Sequence, residues 1–301
     1  MPRDRQNQRL YPGHMNKIYE KFAEKLFLLS AILSISVTIL IFGFMLILGL
    51  PFIREGNFFI LFTQPWSPHQ GLYGIYPMII GTMSVSLLSI AFALPLSLGC
   101  ASLISVLGPK GFSRFFRKMV QFMTGVPTVI YGFIGIFLLV PIIREIFQGG
   151  SGMCILSASL MLTVLVSPTM ILFFIDSFDQ VPKTYINAID ALGGSKVQKL
   201  LHVMLPNAWR GILAGLILGL GRAFGDTLIA LMIAGNAIKT PDSILDSART
   251  LTAHIALVIA SDYESMEFKS IYACGISLYI FTTITVLGVR FFRAGPKKVT
   301  K

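Results

Sequence analysis

The 301-residue chain is 54% hydrophobic and only 13% charged, with a formal net charge of +11. A soluble domain carries about a quarter charged residues and cannot hide so much apolar surface, so the composition excludes a water-soluble protein. The positive excess would suit nucleic acid, but it is confined to alternate loops between apolar runs; it is a topology signal, and no nucleic-acid partner is expected.

Crossing the hydrocarbon core takes about 20 apolar residues in a helix. Six runs qualify, predicting an all-α integral membrane fold. The first, from Leu26 to Leu50, follows a basic tail over residues 1–25. It is too long for a signal peptide and lacks a small-x-small cleavage site, so it reads as an uncleaved span. The second runs from Met78 to Val106, and the third from Gly125 to Ile143 behind an amphipathic lead-in at Phe112–Phe122. Gly125-Val-Pro127 breaks the chain where the third span enters the membrane. Such a break either lines a path for a polar substrate or is a packing kink. The fourth span, from Met153 to Ile175, is expected to be interrupted in the same way at Ser167-Pro168-Thr169, whose hydroxyls either touch substrate or satisfy freed carbonyls. The fifth covers Ala208 to Ala234 and the sixth Ile271 to Phe292. The membrane domain is thus 26–293, and a short tail follows over 294–301.

The loops alternate in charge. One set holds Lys110, Arg114, Arg117, Lys118, Lys183, Lys196, Lys199 and Arg210, and the termini add Arg3, Arg5, Arg9, Lys17, Lys21, Lys25, Arg290, Arg293, Lys297, Lys298 and Lys301. The other set holds Glu55, Glu145, Asp242, Asp246, Asp262, Glu264 and Glu267 with few basic residues. By the positive-inside rule both termini are cytoplasmic. Trp66 and Trp209 fall near the expected interfaces, as aromatic belt residues do.

The basic loop over residues 178–206 is the most informative. Pro182 suits a first helical turn, with Tyr185, Ile186, Ile189 and Leu192 then on one face. Gly193-Gly194 stops that helix, and Ser195 with Gln198 has the capping-box spacing that starts another, faced by Val197, Leu200, Leu201 and Met204. Leu205-Pro206 is expected to break the chain before the fifth span. Two short apolar-faced helices result. They either lie at the membrane interface or fill a groove on a partner.

Within the fifth span, Arg222 and Asp226 stand four apart, so on a continuous helix they share a face and can pair. A charge at mid-membrane faces a cavity or a partner. Two readings stand: a clamp between subunits, or a path in which the guanidinium fork of Arg222 receives an oxyanion and Asp226 weakens its grip.

Ala188-x-x-Ala191-Leu-Gly-Gly-Ser, with Leu205-Pro206 and Gly211-Ile212 after it, resembles the loop of ABC-importer permeases that docks into a cleft of the ATPase subunit. The resemblance implies coupling through Asn187, Ala188, Ala191, Leu192, Gly193 and Gly194. Asn187 stands where that family usually has Glu, so a charge there is not essential in this chain. Gly-Arg222-Ala-x-Gly-Asp226-Thr227, followed by Leu-Met-Ile-Ala-Gly-Asn236, is similar to the phosphate permeases among the binding-protein-dependent inner-membrane components, with Asp226 in place of Glu. The segments at Trp66-Ser-Pro, Gly74–Thr82, Gly125–Gly132, Ser167–Thr169 and Arg249–Ala253 fit the same group, PstC-type rather than PstA-type.

That resemblance implies a permease of the cell inner membrane with Arg222, Asp226 and Thr227 on the substrate path. It implies a second homologous, PstA-type permease, two ATPase subunits that bind the ATP, and a periplasmic or lipid-anchored phosphate-binding protein. The cargo is inorganic phosphate and the surroundings are lipid. The chain shows no phosphate-binding Gly-x-x-x-x-Gly-Lys-Ser/Thr loop, so no cofactor of its own and no enzymatic activity are expected. Cys100, Cys154 and Cys274 sit in apolar runs as small core or lipid-facing residues, and the four histidines are scattered, so no metal is expected. The acidic loop 236–269, with a short helix expected at Ile244–Ile259, either docks a binding protein or is an ordinary loop. The competing readings are a permease for molybdate or sulfate, an ion-coupled carrier or channel in which Asp226 relays protons, and an intramembrane enzyme, for which no acid pair, zinc motif or Ser–His arrangement is present.

Overall fold

The computed structural model describes residues 15–54, 62–148 and 150–293. The expected tail of residues 294–301, and residues 1–14 of the N-terminal one, lie outside the described residues. Among the described residues six helices are long and apolar enough to cross a membrane: Tyr19–Gly49, Tyr76–Leu107, Thr128–Phe147, Ile155–Asp179, Lys196–Gly225 and Met266–Gly288.

The chain divides into two compact units, residues 1–50 and 51–301. The first carries most of helix α1 (Met15–Arg54), which begins well before Leu26 and takes in Lys17, Lys21 and Lys25. Leu26, Phe27, Leu29, Leu33, Ile39 and Leu40 are exposed around its circumference. A helix apolar on every side belongs in lipid.

The second unit opens with a two-residue hairpin, β1 (Trp66–Ser67) against β2 (Leu72–Tyr73), in antiparallel register with Trp66 opposite Tyr73. Helix α2 (Tyr76–Ser102) follows and passes into a π-helical turn, Leu103–Leu107. The amphipathic helix α3 (Lys110–Thr124) ends at Gly125, and Pro127 caps α4 (Thr128–Ile134), so the break at Gly125-Val-Pro127 is real. The third span continues through a π-helical turn at Gly135–Leu139 into α5 (Val140–Phe147).

Helix α6 (Ile155–Asp179) is the centre of this unit, packed by α2 on one side and α9 (Leu205–Gly225) on another. Its buried apolar residues include Leu162, Met170, Phe174, Ile175 and Phe178. In lipid, apolar burial gives little drive for helices to associate, so close packing and polar contacts must hold them. Both are present. Ser159 Oγ donates to the Val85 carbonyl at 3.2 Å and Thr163 Oγ1 to that of Ser89 at 3.0 Å, tying α6 to α2. Toward α9 the contact is made by Gly211, Gly215 and Gly219, one face of the helix at four-residue spacing. A Cβ on Gly211 would meet Ser177 Oγ. One on Gly215 would lie 2.8 Å from Phe174 Cε1, and one on Gly219 2.7 Å from Met170 Sδ.

Two expected breaks are absent. Helix α6 runs unbroken through Pro168. Buried hydroxyls supply the surrounding polar contacts: Ser167 Oγ donates to the Thr163 carbonyl at 2.6 Å, and Ser97 Oγ reaches the Ser167 carbonyl at 3.4 Å. Likewise Leu205-Pro206 does not interrupt the chain. Helix α8 (Lys196–Gln198), a π-helical stretch at Lys199–Met204 and α9 form one span, with Pro206 in the first turn of α9, where a missing N–H is tolerated. Asn207 Nδ2 donates to the Val203 carbonyl at 2.6 Å beside it.

After α9 come helix α10 (Leu228–Ile233), a folded loop, helix α11 (Leu251–Val258) and the last span within α12 (Met266–Arg293). The helix expected over Ile244–Ile259 is shorter, because Ile244 and Asp246 instead accept backbone hydrogen bonds from Leu156 and Ile155 at the start of α6. Trp66 is no belt residue. It is 7% exposed, edge-on to Tyr73 and His254, whereas Trp209 is exposed.

Candidate functional site: a broken helix and an exposed loop

The fifth span was expected to run continuously to Ala234. It stops at Gly225, and Asp226 is extended, with φ −72 and ψ 128. That break cancels the same-face geometry on which pairing of Arg222 with Asp226 depended. The Asp226 carboxylate is engaged with the next helix instead: its Oδ2 accepts from the N–H of Ile229 at 2.9 Å and of Ala230 at 3.3 Å, capping α10. The Asp226 carbonyl accepts from Thr252 Oγ1 at 2.7 Å, which ties α11 to the break. Thr227 lies in the same break, half-buried.

Arg222, half-buried in the last turn of α9, donates through Nη1 to Thr169 Oγ1 on α6 at 2.9 Å. Counting 1.5 Å per residue, Thr169 lies roughly 21 Å from the start of α6 and roughly 15 Å from its end, so the pair sits near mid-membrane. Among the described residues the ion pairs are Arg117 with Asp176 and Asp179, Lys199 with Asp190, and Lys239 with Asp242. Arg222 belongs to none of them. A cation at this depth, hydrogen-bonded to a hydroxyl and, among the described residues, in no ion pair although the charge of Asp226 acts on it, retains unbonded N–H donors. Helix α10 is locked against the third span through Gly132, where a Cβ would strike Met232, and Gly135, where it would strike Ile233.

On the opposite side of the break, loop 234–250 doubles back. Gly235 (φ 85) and Asn236 (φ 58) adopt left-handed backbone, and Gly235 bridges Ala248. Thr250 caps α11, its Oγ1 accepting from the Ala253 N–H at 3.2 Å. His254 is fully buried, with Nε2 at 3.1 Å from Ser270 Oγ. Burial, and then the nearby charge of Arg249, push its pKa down from 6.5 to about 3. The unfolded chain takes up that proton near pH 6.5 and the folded chain does not. Stability is therefore intact above pH 6.5 and falls as pH drops from there toward 3, by about 2 kcal/mol at pH 5. Thermal unfolding in detergent should show this slope, and His254→Gln should remove it.

The basic loop forms the second candidate region. Helix α7 (Lys183–Ala191) ends in a glycine-dependent cap: Gly193 has φ 73, its N–H bonds the Asp190 carbonyl at 3.1 Å, and the Gly194 N–H bonds that of Ile189 at 2.9 Å. Ser195 and Gln198 form the expected capping box, at 3.3 and 2.8 Å. The apolar face of α7 is divided. Ile186 and Ile189 turn inward, while Tyr185, Ala188 and Leu192, at spacing three and four, face outward with Asn187 and Ala191 beside them. Leu192 is 86% exposed. The second apolar face divides in the same way, with Leu200 and Met204 buried and Val197 and Leu201 exposed. Among the described residues no group of three or more His, Cys, Asp or Glu gathers as a metal site.

A membrane domain of six helices, broken beside a half-buried arginine and carrying an outward-facing apolar loop helix, is the architecture of an importer permease. Residues 93–294 match the family described as binding-protein-dependent transport system inner membrane component, and the chain belongs to that family. Among its relatives, the probable ABC transporter permease protein YqgH of Bacillus subtilis is 30% identical over 77% of this chain and 76% of its own length. The phosphate transport system permease protein PstC of Pasteurella multocida is 27% identical over 76% of this chain and 78% of its own. The probable phosphate transport system permease protein PstC of Methanocaldococcus jannaschii is 26% identical over 95% and 98%. Similar solved folds include a chain of the MetNI methionine ABC transporter, with TM-score 0.58 and 18% identity over 72% of this chain and 94% of that one. A chain of a bacterial ABC transporter that imports alginate has TM-score 0.64 and 13% identity over 93% and 100%.

Proposed function

We propose that this chain is one permease subunit of an ATP-driven phosphate importer, and that the Arg222 fork lines the path. The observation that carries this reading is a mid-membrane guanidinium bonded to Thr169 and, among the described residues, outside ion-pair distance of any carboxylate, with the charge of Asp226 acting on it from farther away. A tetrahedral oxyanion matches its paired donors. Relatives named as phosphate permeases support phosphate over other oxyanions. Asp226 organises the break by capping α10, and its charge beside the path limits how tightly an anion is held. Thr227 contributes a hydroxyl at the same level.

In this reading the basic loops and both termini are cytoplasmic, and the outward face of α7 and the Gly193-Gly194 cap fit a cleft on an ATPase subunit. A second, PstA-type permease completes the path, and a phosphate-binding protein delivers cargo to the opposite side. The chain itself binds no ATP and catalyses no reaction. ATP-dependent uptake of labelled phosphate by vesicles holding the whole transporter tests the assignment; uptake of molybdate or sulfate in its place would overturn the substrate. At the loop, Leu192→Asp should abolish co-purification of the ATPase subunit, because a charge replaces an exposed apolar anchor. The unfolding temperature of the subunit should be unchanged, since Leu192 is 86% exposed and has little buried contact to lose.

A further inference from the structure

Arg249 is the other arginine that the fold leaves half-buried and without a carboxylate among the described residues. Its backbone is fixed from two sides. Ala248 N–H donates to the Ala234 carbonyl at 2.9 Å and Asn236 N–H to the Ala248 carbonyl at 3.2 Å. On the other flank, Leu251 N–H donates to Thr82 Oγ1 on α2 at 2.8 Å, and Gly81 is bare because a Cβ there would meet the Arg249 carbonyl. The side chain is anchored by Nε, which donates to the Asn236 carbonyl at 3.1 Å. Its terminal nitrogens have no acceptor among the described residues. The acids of the same loop are engaged elsewhere: Asp242 with Lys239, and Asp246 with the N–H groups of Asp242 and Ser243.

The segments that carry the two arginines are tied at one joint. Thr252, three residues after Arg249, donates to the carbonyl of Asp226, four residues after Arg222. Thr250 and Thr252, whose hydroxyls are 3.1 Å apart, lie between. The broken helix therefore carries Arg222 on its first segment, α9, and Arg249 on the loop whose following helix is tied back to the break. A buried cation without a partner is costly unless an anion visits it. A single strong site would also trap its anion, whereas sites in series let it move on.

We infer that Arg249 is a second anion-binding residue of the path, placed on the side of loop 234–250 so that an incoming oxyanion meets its fork before that of Arg222. This rests on the anion-path reading above. A structural alternative exists, in which Nε merely latches the loop to Asn236, and the two make different predictions.

The test uses the whole transporter with its binding protein in vesicles. It follows uptake of labelled inorganic phosphate alongside ATP hydrolysis stimulated by the loaded binding protein. Arg249→Gln keeps a donor for the Asn236 carbonyl but loses the charge, and Arg249→Lys keeps the charge but loses the fork. The expected result is uptake about tenfold lower for Arg249→Gln, with stimulated hydrolysis within about twofold of wild type and Arg249→Lys in between. Wild-type uptake by Arg249→Gln, which still latches to Asn236, overturns the inference in favour of the latch, and loss of uptake and hydrolysis in step in both variants overturns it in favour of a role in folding or assembly. Wild-type vesicles that move sulfate or molybdate instead of phosphate refute the substrate alone, and the same variants measured with that anion still decide the role of Arg249.

Discussion

Arg222→Ala should reduce substrate uptake about ten- to a hundredfold while the assembled transporter keeps its ATPase subunits. A hydrogen bond to a charged group contributes about 1.5–3 kcal/mol, and 1.36 kcal/mol is a factor of ten in rate. The substitution removes the charge and the bond to Thr169 together. Thr169→Val separates them. It leaves the guanidinium in place but without its orienting hydroxyl, so the loss should be nearer fivefold, about 1 kcal/mol. If Thr169→Val lost as much as Arg222→Ala, orientation rather than charge would dominate. If Arg222→Ala transported normally, the arginine would be a packing element and the path would lie elsewhere. Asp226→Asn should be milder than Arg222→Ala, because the amide oxygen can still accept from the N–H groups of Ile229 and Ala230.

The second large effect is expected at the seam between α6 and α9. Gly215 lets the two helices approach until an added Cβ would sit 2.8 Å from Phe174 Cε1 and 3.1 Å from Phe173 Cβ. Both phenylalanines belong to the central helix, and Phe174 is fully buried, so neither can yield cheaply. Gly215→Leu should destabilise the subunit by about 3 kcal/mol or more, since overpacking a tight core costs about 1–3 kcal/mol even for smaller insertions. Gly221→Leu on the same helix is the control: nothing lies within 4 Å of its added Cβ. Its effect on thermal unfolding of the isolated subunit in detergent should stay within about 0.5 kcal/mol. Equal loss in both would trace the effect to the helix backbone rather than to the seam.

The six spans were legible because twenty consecutive apolar residues have few alternatives in water. The Gly193-Gly194 cap and the Ser195–Gln198 box were legible because each is fixed by residues close in sequence. What escaped was set by contacts distant in sequence. Pro168 and Pro206 read as breaks on local grounds, but buried hydroxyls and a π-helical stretch absorb them. The reverse holds at Gly225–Asp226, where an apolar run hid a real break, stabilised by Thr252 some 26 residues later. The Arg222–Asp226 spacing misled for that reason: the four-residue rule assumes a helix that the fold does not continue. Only their neighbours on α6 reveal Gly211, Gly215 and Gly219 as a seam. Arg249 was visible only as part of the family segment Arg249–Ala253, since its half-burial and its distance from carboxylates depend on how loop 234–250 folds.

The span from Lys196 to Gly225 has one mechanical property that its chemistry does not reveal. It is a rod of 30 residues, about 45 Å long, clamped at one end by the Ser195–Gln198 box and ending at the other beside Arg222. A torque applied to α7 passes into this rod at a stiff elbow, because the glycine cap and the box use up the free backbone groups there. Along its length the one compliant joint is the π-helical stretch Lys199–Met204, close to the driven end. With its fulcrum at the glycine seam on α6, centred on Gly215, the rod is a lever with a long input arm, about 28 Å, and a short output arm, about 15 Å. A displacement at the loop therefore becomes a smaller one, delivered with greater force, at the broken helix beside Arg222.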